Sequence, residues 1–322
     1  MFPTQTYLEV IRLNTSYRLV LLKSSSDRPG DLAVSPKLRY LYWADAGQNP
    51  KIERAQLDGT NRTVLASESL SSPRGLTVDY TNDFLYWVDD GLDMISCMAS
   101  DGTERHIVRY GSRYPAPYGV AILGNYMLWV DRKLGKLFQA SKYAGDAASP
   151  EVIREWMQGL ADVAVFDAHV QPTAAHQVGF HPCLEDNGRC QQFCFAEPDQ
   201  AAPRCGCAHG SLLTNGVTCG YGKDEFLVYT TDYTVERAQL DPDDHSVPFP
   251  SFYLGYSVVA LDFDFQDRRV FFSQYSGIGR SKIGYINTAI PGSPPVFIAT
   301  GKNLQAFLMV FSCLYITSGV TP

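Results

Sequence analysis

Three of the four tryptophans in this chain stand at a single phase of a repeat. Trp43, Trp87 and Trp129 lie 44 and then 42 residues apart, within Leu41-Tyr42-Trp43-Ala44-Asp45, Leu85-Tyr86-Trp87-Val88-Asp89 and Met127-Leu128-Trp129-Val130-Asp131. A period just above 40 residues restricts a chain to architectures in which each unit buries its apolar face on its neighbours. Other residues keep the phase. A β-rich apolar segment precedes each copy: Asp31-Leu32-Ala33-Val34, Gly75-Leu76-Thr77-Val78-Asp79 and Gly119-Val120-Ala121-Ile122. Behind the first two come Asp58-Gly59-Thr60 with Arg62, and Asp101-Gly102-Thr103 with Arg105. The Asp-Gly pair supplies the positive backbone angles that a tight hairpin needs. Each unit therefore reads as four antiparallel strands, the size of one β-propeller blade, and the expected fold is all-β.

Aromatics at a fixed place on blade strands fill the space between stacked sheets, so Tyr42, Trp43, Tyr86, Trp87 and Trp129 are expected in the core. A carboxylate recurring in every repeat points to a hydrogen-bonded clasp, whereas a catalytic group would occur once. Asp45, Asp89 and Asp131 are accordingly read as structural.

Six of the eight cysteines, Cys183, Cys190, Cys194, Cys205, Cys207 and Cys219, fall within 37 residues, and only Cys97 and Cys313 lie elsewhere. Such density belongs to an oxidising, secretory compartment. Six cysteines allow fifteen pairings, among which spacing cannot choose. Zinc ligation with His181 and His209 is disfavoured because paired C-x2-C spacing is missing.

These residues together resemble the YWTD (class B) repeats of the low-density lipoprotein receptor family. In that family six blades close a propeller that is followed by an epidermal growth factor-like module. This chain has Tyr-Trp-Ala-Asp, Tyr-Trp-Val-Asp and Leu-Trp-Val-Asp in the motif slot, lacking the Thr each time. Residues 160–167 with Gln171-Pro172 look like a closing segment, and the cysteine cluster comes next, as in the family. The resemblance implies the pairs Cys183 with Cys194, Cys190 with Cys205, and Cys207 with Cys219. The family's calcium pattern is not matched, since residues 177–182 before the first cysteine contain no carboxylate and Glu185-Asp186 lies inside the module.

A second propeller is expected to begin at Tyr221. Phe226-Leu227-Val228-Tyr229 reads as a strand, and Glu236-Arg237-Ala238-Gln239-Leu240-Asp241 repeats Glu53-Arg54-Ala55-Gln56-Leu57-Asp58 residue for residue. Residues 258–264 resemble the strand ahead of the motif, and Arg269–Gln274 fills a degenerate motif slot. The expected organisation is a partial propeller of about four blades over 17–178, the growth factor-like module over 179–220, the start of a second propeller over 221–301, and an unassigned tail over 302–322. The resemblance implies a fragment of a large, megalin-like receptor.

A net charge of −7 and a pI near 5.4 argue against nucleic acid as a partner, because that affinity comes mainly from clustered Lys and Arg. Met1 to Tyr7 has no basic region leading into an apolar run, so the chain is expected to be incomplete at its start. The apolar tract 306–316 has 11 residues, short of the ~18 to 20 that span a bilayer. The sequence holds no G-x-S-x-G elbow, H-E-x-x-H helix or P-loop. Asp241, Asp243 and Asp244 read as a solvated turn rather than a metal site with Asp262 and Asp264. Neither an enzyme nor a cofactor is expected.

What the resemblance implies is the extracellular portion of an endocytic receptor that binds protein or lipoprotein ligands and releases them in acidic endosomes, assisted in folding by the family's chaperone. Histidine suits that pH range, and His106, His169, His176, His181, His209 and His245 are available. The competing implication is a matrix or signalling co-receptor module. Asn14-Thr15-Ser16 and Asn61-Arg62-Thr63 are N-glycosylation sequons, meaningful in the secretory pathway.

Overall fold

A computed structural model describes residues 6–13, 15, 17–145, 148–167, 170, 181–208, 210–220, 226–240, 251–275, 281–290, 293–301, 304–310 and 313–318. The expectations placed on Asn14, His169, Gln171, Pro172, His176, residues 177–180, His209, Tyr221, Asp241, Asp243, Asp244 and His245 lie outside these residues. The chain divides into two compact units: Met1–Glu9, Val20–Gly188 and Phe195–Arg204 form one, and Val10–Leu19, Arg189–Cys194 and Cys205–Pro322 the other.

The chain begins with the paired strands β1 (Thr6–Ile11) and β2 (Arg18–Ser24). Three four-stranded antiparallel meanders follow in the first unit. Blade 1 is β3 (Pro29–Ser35), β4 (Tyr40–Asp45), β5 (Lys51–Gln56) and β6 (Thr63–Ala66). Blade 2 is β7 (Pro73–Asp79), β8 (Phe84–Asp89), β9 (Met94–Ala99) and β10 (His106–Tyr110). Blade 3 is β11 (Pro117–Leu123), β12 (Tyr126–Asp131), β13 (Lys136–Ser141) and β14 (Glu151–Arg154). The apolar segment ahead of each Trp motif is the first strand, and the motif is the second.

Trp43, Trp87 and Trp129 are 1%, 0% and 0% exposed, which places the repeated aromatic at the centre of each core. Burying a ring of that size removes ~200 Å² from water, about 5 kcal/mol of apolar transfer each. Tyr42, Leu76, Val78, Leu85, Trp87 and Met98 join blades 1 and 2 in one cluster, and Tyr86, Ile95, Val120, Met127, Trp129 and Phe138 join blades 2 and 3 in another.

First strands of successive blades approach so closely that side chains are excluded. A Cβ on Gly75 would stand 2.6 Å from the Tyr118 carbonyl oxygen, and one on Gly119 would stand 2.6 Å from the Asp162 Cα. Asp31 occupies the corresponding place in blade 1, and its carboxylate accepts the Leu76 amide at 2.8 Å. Residues 160–167, expected with Gln171-Pro172 as a closing segment, carry no assigned strand, but Asp162 packs against Gly119 as Gly119 packs against Gly75. The described part of 17–178 holds three four-stranded blades.

Four short strands mark the cysteine-rich region: β15 (Phe193–Phe195), β16 (Arg204–Gly206), β17 (Ser211–Leu212) and β18 (Cys219–Gly220). Beyond it, the second unit has the sheet β19 (Phe226–Thr230), β20 (Thr234–Gln239) and β21 (Phe252–Tyr253), then the four-stranded meander β22 (Ser257–Asp264), β23 (Arg269–Tyr275), β24 (Ser281–Asn287) and β25 (Val296–Gly301). Leu227 opposes Ala238 as Leu41 opposes Ala55, so the duplicated hexapeptide keeps its register in both sheets. The tail left unassigned by sequence forms the hairpin β26 (Leu304–Val310) and β27 (Cys313–Ser318).

Candidate functional site

The motif aspartates are fully buried and spend their oxygens on backbone amides. Asp89 accepts from Ser71, Ser72, Gly91 and Leu92 at 2.8, 2.9, 3.1 and 3.1 Å. Asp131 accepts from Ala116, Lys133 and Leu134, and Asp45 from Arg28 and Gly47. Each carboxylate therefore ties the turn after the second strand to the segment entering the first. These residues build the frame; in Asp45 both amides meet Oδ1, and Oδ2 faces the Lys51 ammonium at 3.5 Å.

Blade 1 adds a charged network beneath Trp43. The indole Nε1 donates to Glu53 at 3.1 Å, and the Arg62 guanidinium lies 5.5 Å from the ring while pairing with Glu53 and Asp27 at 2.7 Å. The carboxylates of Asp27, Asp45 and Glu53 have oxygens within 4.8 Å of one another, the one group among the described residues with the makings of a cation site. The Lys51 ammonium already stands 3.0, 3.5 and 3.7 Å from the three. Burial pushes Asp27 up, but Arg62 and Lys51 outweigh it and hold its carboxyl well below the usual range. Blade 2 keeps the arginine but not the acid: Arg105 lies 5.3 Å from Trp87 and donates to the carbonyls of Glu68 and Ser69. In blade 3, Trp129 stacks on Phe138 at 5.1 Å instead.

Surface positions that differ between blades are free of these framework duties. In every blade a proline faces the motif aspartate, Pro29 with Asp45, Pro73 with Asp89 and Pro117 with Asp131, and the register then shifts by a bulge. A bulge turns a side chain out of the ladder and also accommodates proline. Gly30, Arg74 and Tyr118 follow these prolines, while Ala46, Asp90 and Arg132 follow the motif aspartates. Arg74 and Arg132 lie 5.6 and 4.2 Å from the Tyr118 ring, and Arg74 pairs with Asp90 at 3.3 Å. Arg132 is exposed. Two guanidiniums held about one tyrosine offer fixed donors to a carboxylate, with the ring restricting their freedom. Sequence inspection passed over these three residues because they break the repeat; their shared offset from the proline and the motif aspartate is the signal that finds them.

In the cysteine-rich region, Cys190 pairs with Cys205 and Cys207 with Cys219, at Cα separations of 5.3 and 5.8 Å. Cys183 and Cys194 are also disulfide-bonded, and the region holds three disulfides. Within the first unit, Arg39 donates to the carbonyls of Glu197 and Gln200 at 2.8 and 2.6 Å, and Arg204 bridges Asp58 and Glu197 at 3.0 and 2.7 Å. The 195–204 segment is thus clamped to blade 1. His181 is half-buried, and its Nδ1 accepts the Cys183 amide at 3.3 Å. Burial and the nearby Arg39 charge both push its pKa below the ordinary 6.5. His106 is exposed at the start of β10. Cys97 is a buried free thiol, pushed up to about 11 by burial.

In the second unit, Phe226, Val228, Leu261, Phe263 and Val270 line a hollow of about 650 Å³ edged by Asp262, Asp264 and Arg268. Gln274 takes the place of the motif aspartate, facing Lys282 as Asp45 faces Lys51.

Residues 39–80 match the low-density lipoprotein receptor repeat class B, and residues 180–222 match the LRP2-like, EGF-like domain. Low-density lipoprotein receptor-related protein 5 of Mus musculus is 33% identical over 215 residues, which are 66% of this chain and 13% of that protein. Low-density lipoprotein receptor-related protein 4 of Rattus norvegicus is 33% identical over 177 residues, covering 54% of this chain and 8% of that protein. The chain therefore spans a small fraction of the curated relatives it matches. Among solved structures, the crystal structure of a nidogen/laminin complex aligns with a TM-score of 0.41 at 16% identity, over 97% of this chain and 82% of that one.

Proposed function

Because this chain belongs to the low-density lipoprotein receptor-related family, we propose that it is an extracellular ligand-binding module that presents the Arg74, Tyr118 and Arg132 cluster to a protein ligand carrying exposed carboxylates. The observation that carries this reading is the placement of the cluster at bulge and turn positions that vary between blades. Residues required by the blade recur, whereas these do not. Among the described residues no helix is long and apolar enough to cross a membrane. The growth factor-like module, with its three disulfides, accords with an oxidising extracellular setting.

Ligand release on acidification is the second part of the proposal, as in an endocytic receptor. Its support is His181, held neutral at pH 7 beside the clamp formed by Arg39. Charging that imidazole places a second cation next to the guanidinium that holds the 195–204 segment. The test is a pull-down of serum and matrix-extract proteins by the full chain at pH 7 and pH 5. The wild type should retain ligands at pH 7 and shed them at pH 5, and R132E should lose them at both. Equal retention by R132E, with circular dichroism unchanged, refutes the binding surface. Recovery of matrix proteins that stay bound at pH 5 would replace the endocytic reading with a matrix or signalling co-receptor role.

A further inference from the structure

We infer that Asn61 carries an N-linked oligosaccharide, standing at the head of the outer edge strand of blade 1. The inference rests on the extracellular reading, since the modification is made in the secretory lumen. Its support is the way the fold sorts the three residues of Asn61-Arg62-Thr63. Arg62, itself partly exposed, lies over Trp43 and pairs with Glu53 and Asp27. Asn61 and Thr63, two residues apart, are both exposed. Among the described residues the Asn61 carboxamide makes no hydrogen bond, and the Thr63 hydroxyl donates to the Asn61 carbonyl at 3.2 Å. An acceptor amide that the fold leaves idle and outward is one whose modification the blade can keep.

The equivalent turn of blade 2 separates what the backbone needs from what the sequon adds. Asn61 has a φ of 54° and Glu104 one of 53°, so the position demands a left-handed backbone in both blades. Asparagine tolerates that conformation readily, which by itself accounts for an asparagine here. It does not account for the threonine two residues on, where blade 2 has His106. Both hairpins otherwise lock themselves alike: Thr60 donates twice to Asp58, and Thr103 twice to Asp101. The sequon is therefore an addition to a turn that forms without it.

The site also has a consequence for the blade's edge. β6 is the last strand of its sheet, pairs only with β5, and exposes Val64 at 49%. An unpaired strand edge bearing an exposed β-branched residue is a template for pairing with another chain, and bulky cover at its start obstructs such pairing.

The full chain, secreted from a mammalian host behind a heterologous leader and carrying N14Q so that a single sequon remains, tests the inference. Treatment with peptide-N-glycosidase should increase its gel mobility. The shift should vanish in N61Q and T63A and persist in T63S, which retains the sequon with little change in volume. A secreted, disulfide-bonded protein showing no shift, or a shift surviving N61Q, overturns the inference while leaving the extracellular reading intact. Retention in the cell with reduced cysteines overturns both.

Discussion

Lys142 and Asp79 form an ion pair of 2.5 Å between blades 3 and 2, with side-chain exposures of only 2% and 3%. Asp79 also accepts the Thr81 amide and the Asn82 side-chain amide, each at 3.1 Å. Removing one member of such a buried pair strands the other and costs about 3–5 kcal/mol. K142M should therefore sharply lower the urea midpoint. The double variant K142M/D79N should lose less than the two single losses added together, and strict additivity would show that the pair is not coupled.

Asp89 provides a second measure of how the blades are held. It accepts four backbone amides where Asp45 accepts two. Hydrogen bonds to a charged group contribute about 1.5–3 kcal/mol each, and buried amides left without acceptors add to the loss. D89A should destabilise the first unit by at least about 3 kcal/mol, and by more than D45A. Thermal denaturation of both variants decides the order.

The thiol of Cys97 is 4% exposed and its pKa is pushed up to about 11. Alkylation proceeds through the thiolate, so iodoacetamide at pH 8 should leave Cys97 unmodified in the native chain and modify it fully in urea. Rapid native labelling at this residue would contradict its placement between β8 and β10.

A pH effect follows from His181. Its folded pKa lies below 6.5, so the folded state binds fewer protons than the unfolded chain as the pH falls through that value. Its contribution is then fully present above 6.5 and declines below it, down to the depressed folded value. H181Q should flatten the dependence of melting temperature on pH between 7 and 5. An unchanged slope would remove His181 from the acid response.

The blades were legible because their chemistry is periodic. Trp43, Trp87 and Trp129 mark one strand of three sheets, and Asp45, Asp89 and Asp131 follow them at a fixed offset and accept backbone amides. Residues 160–167 have the apolar pattern of a first strand and carry no assigned strand, because a strand is defined by pairing, which no single segment encodes. The hairpin of β26 and β27 went unassigned for the opposite reason: its segments carry no repeat phase to announce them. Arg74, Tyr118 and Arg132 escaped notice because they do not recur from blade to blade, and only their places, after the bulge proline for the first two and after the motif aspartate for the third, line them up. The Lys142 and Asp79 pair was invisible for want of any local pattern linking residues 63 positions apart.

The bulge that follows Pro29, Pro73 and Pro117 makes each blade a holder with one interchangeable part. Glycine, arginine and tyrosine occupy that place in three successive blades without altering proline, tryptophan or aspartate around it. A lineage can thus acquire a new partner by single substitutions at such places while the stability of the scaffold stays nearly constant. Affinity and folding are, at these positions, separately heritable.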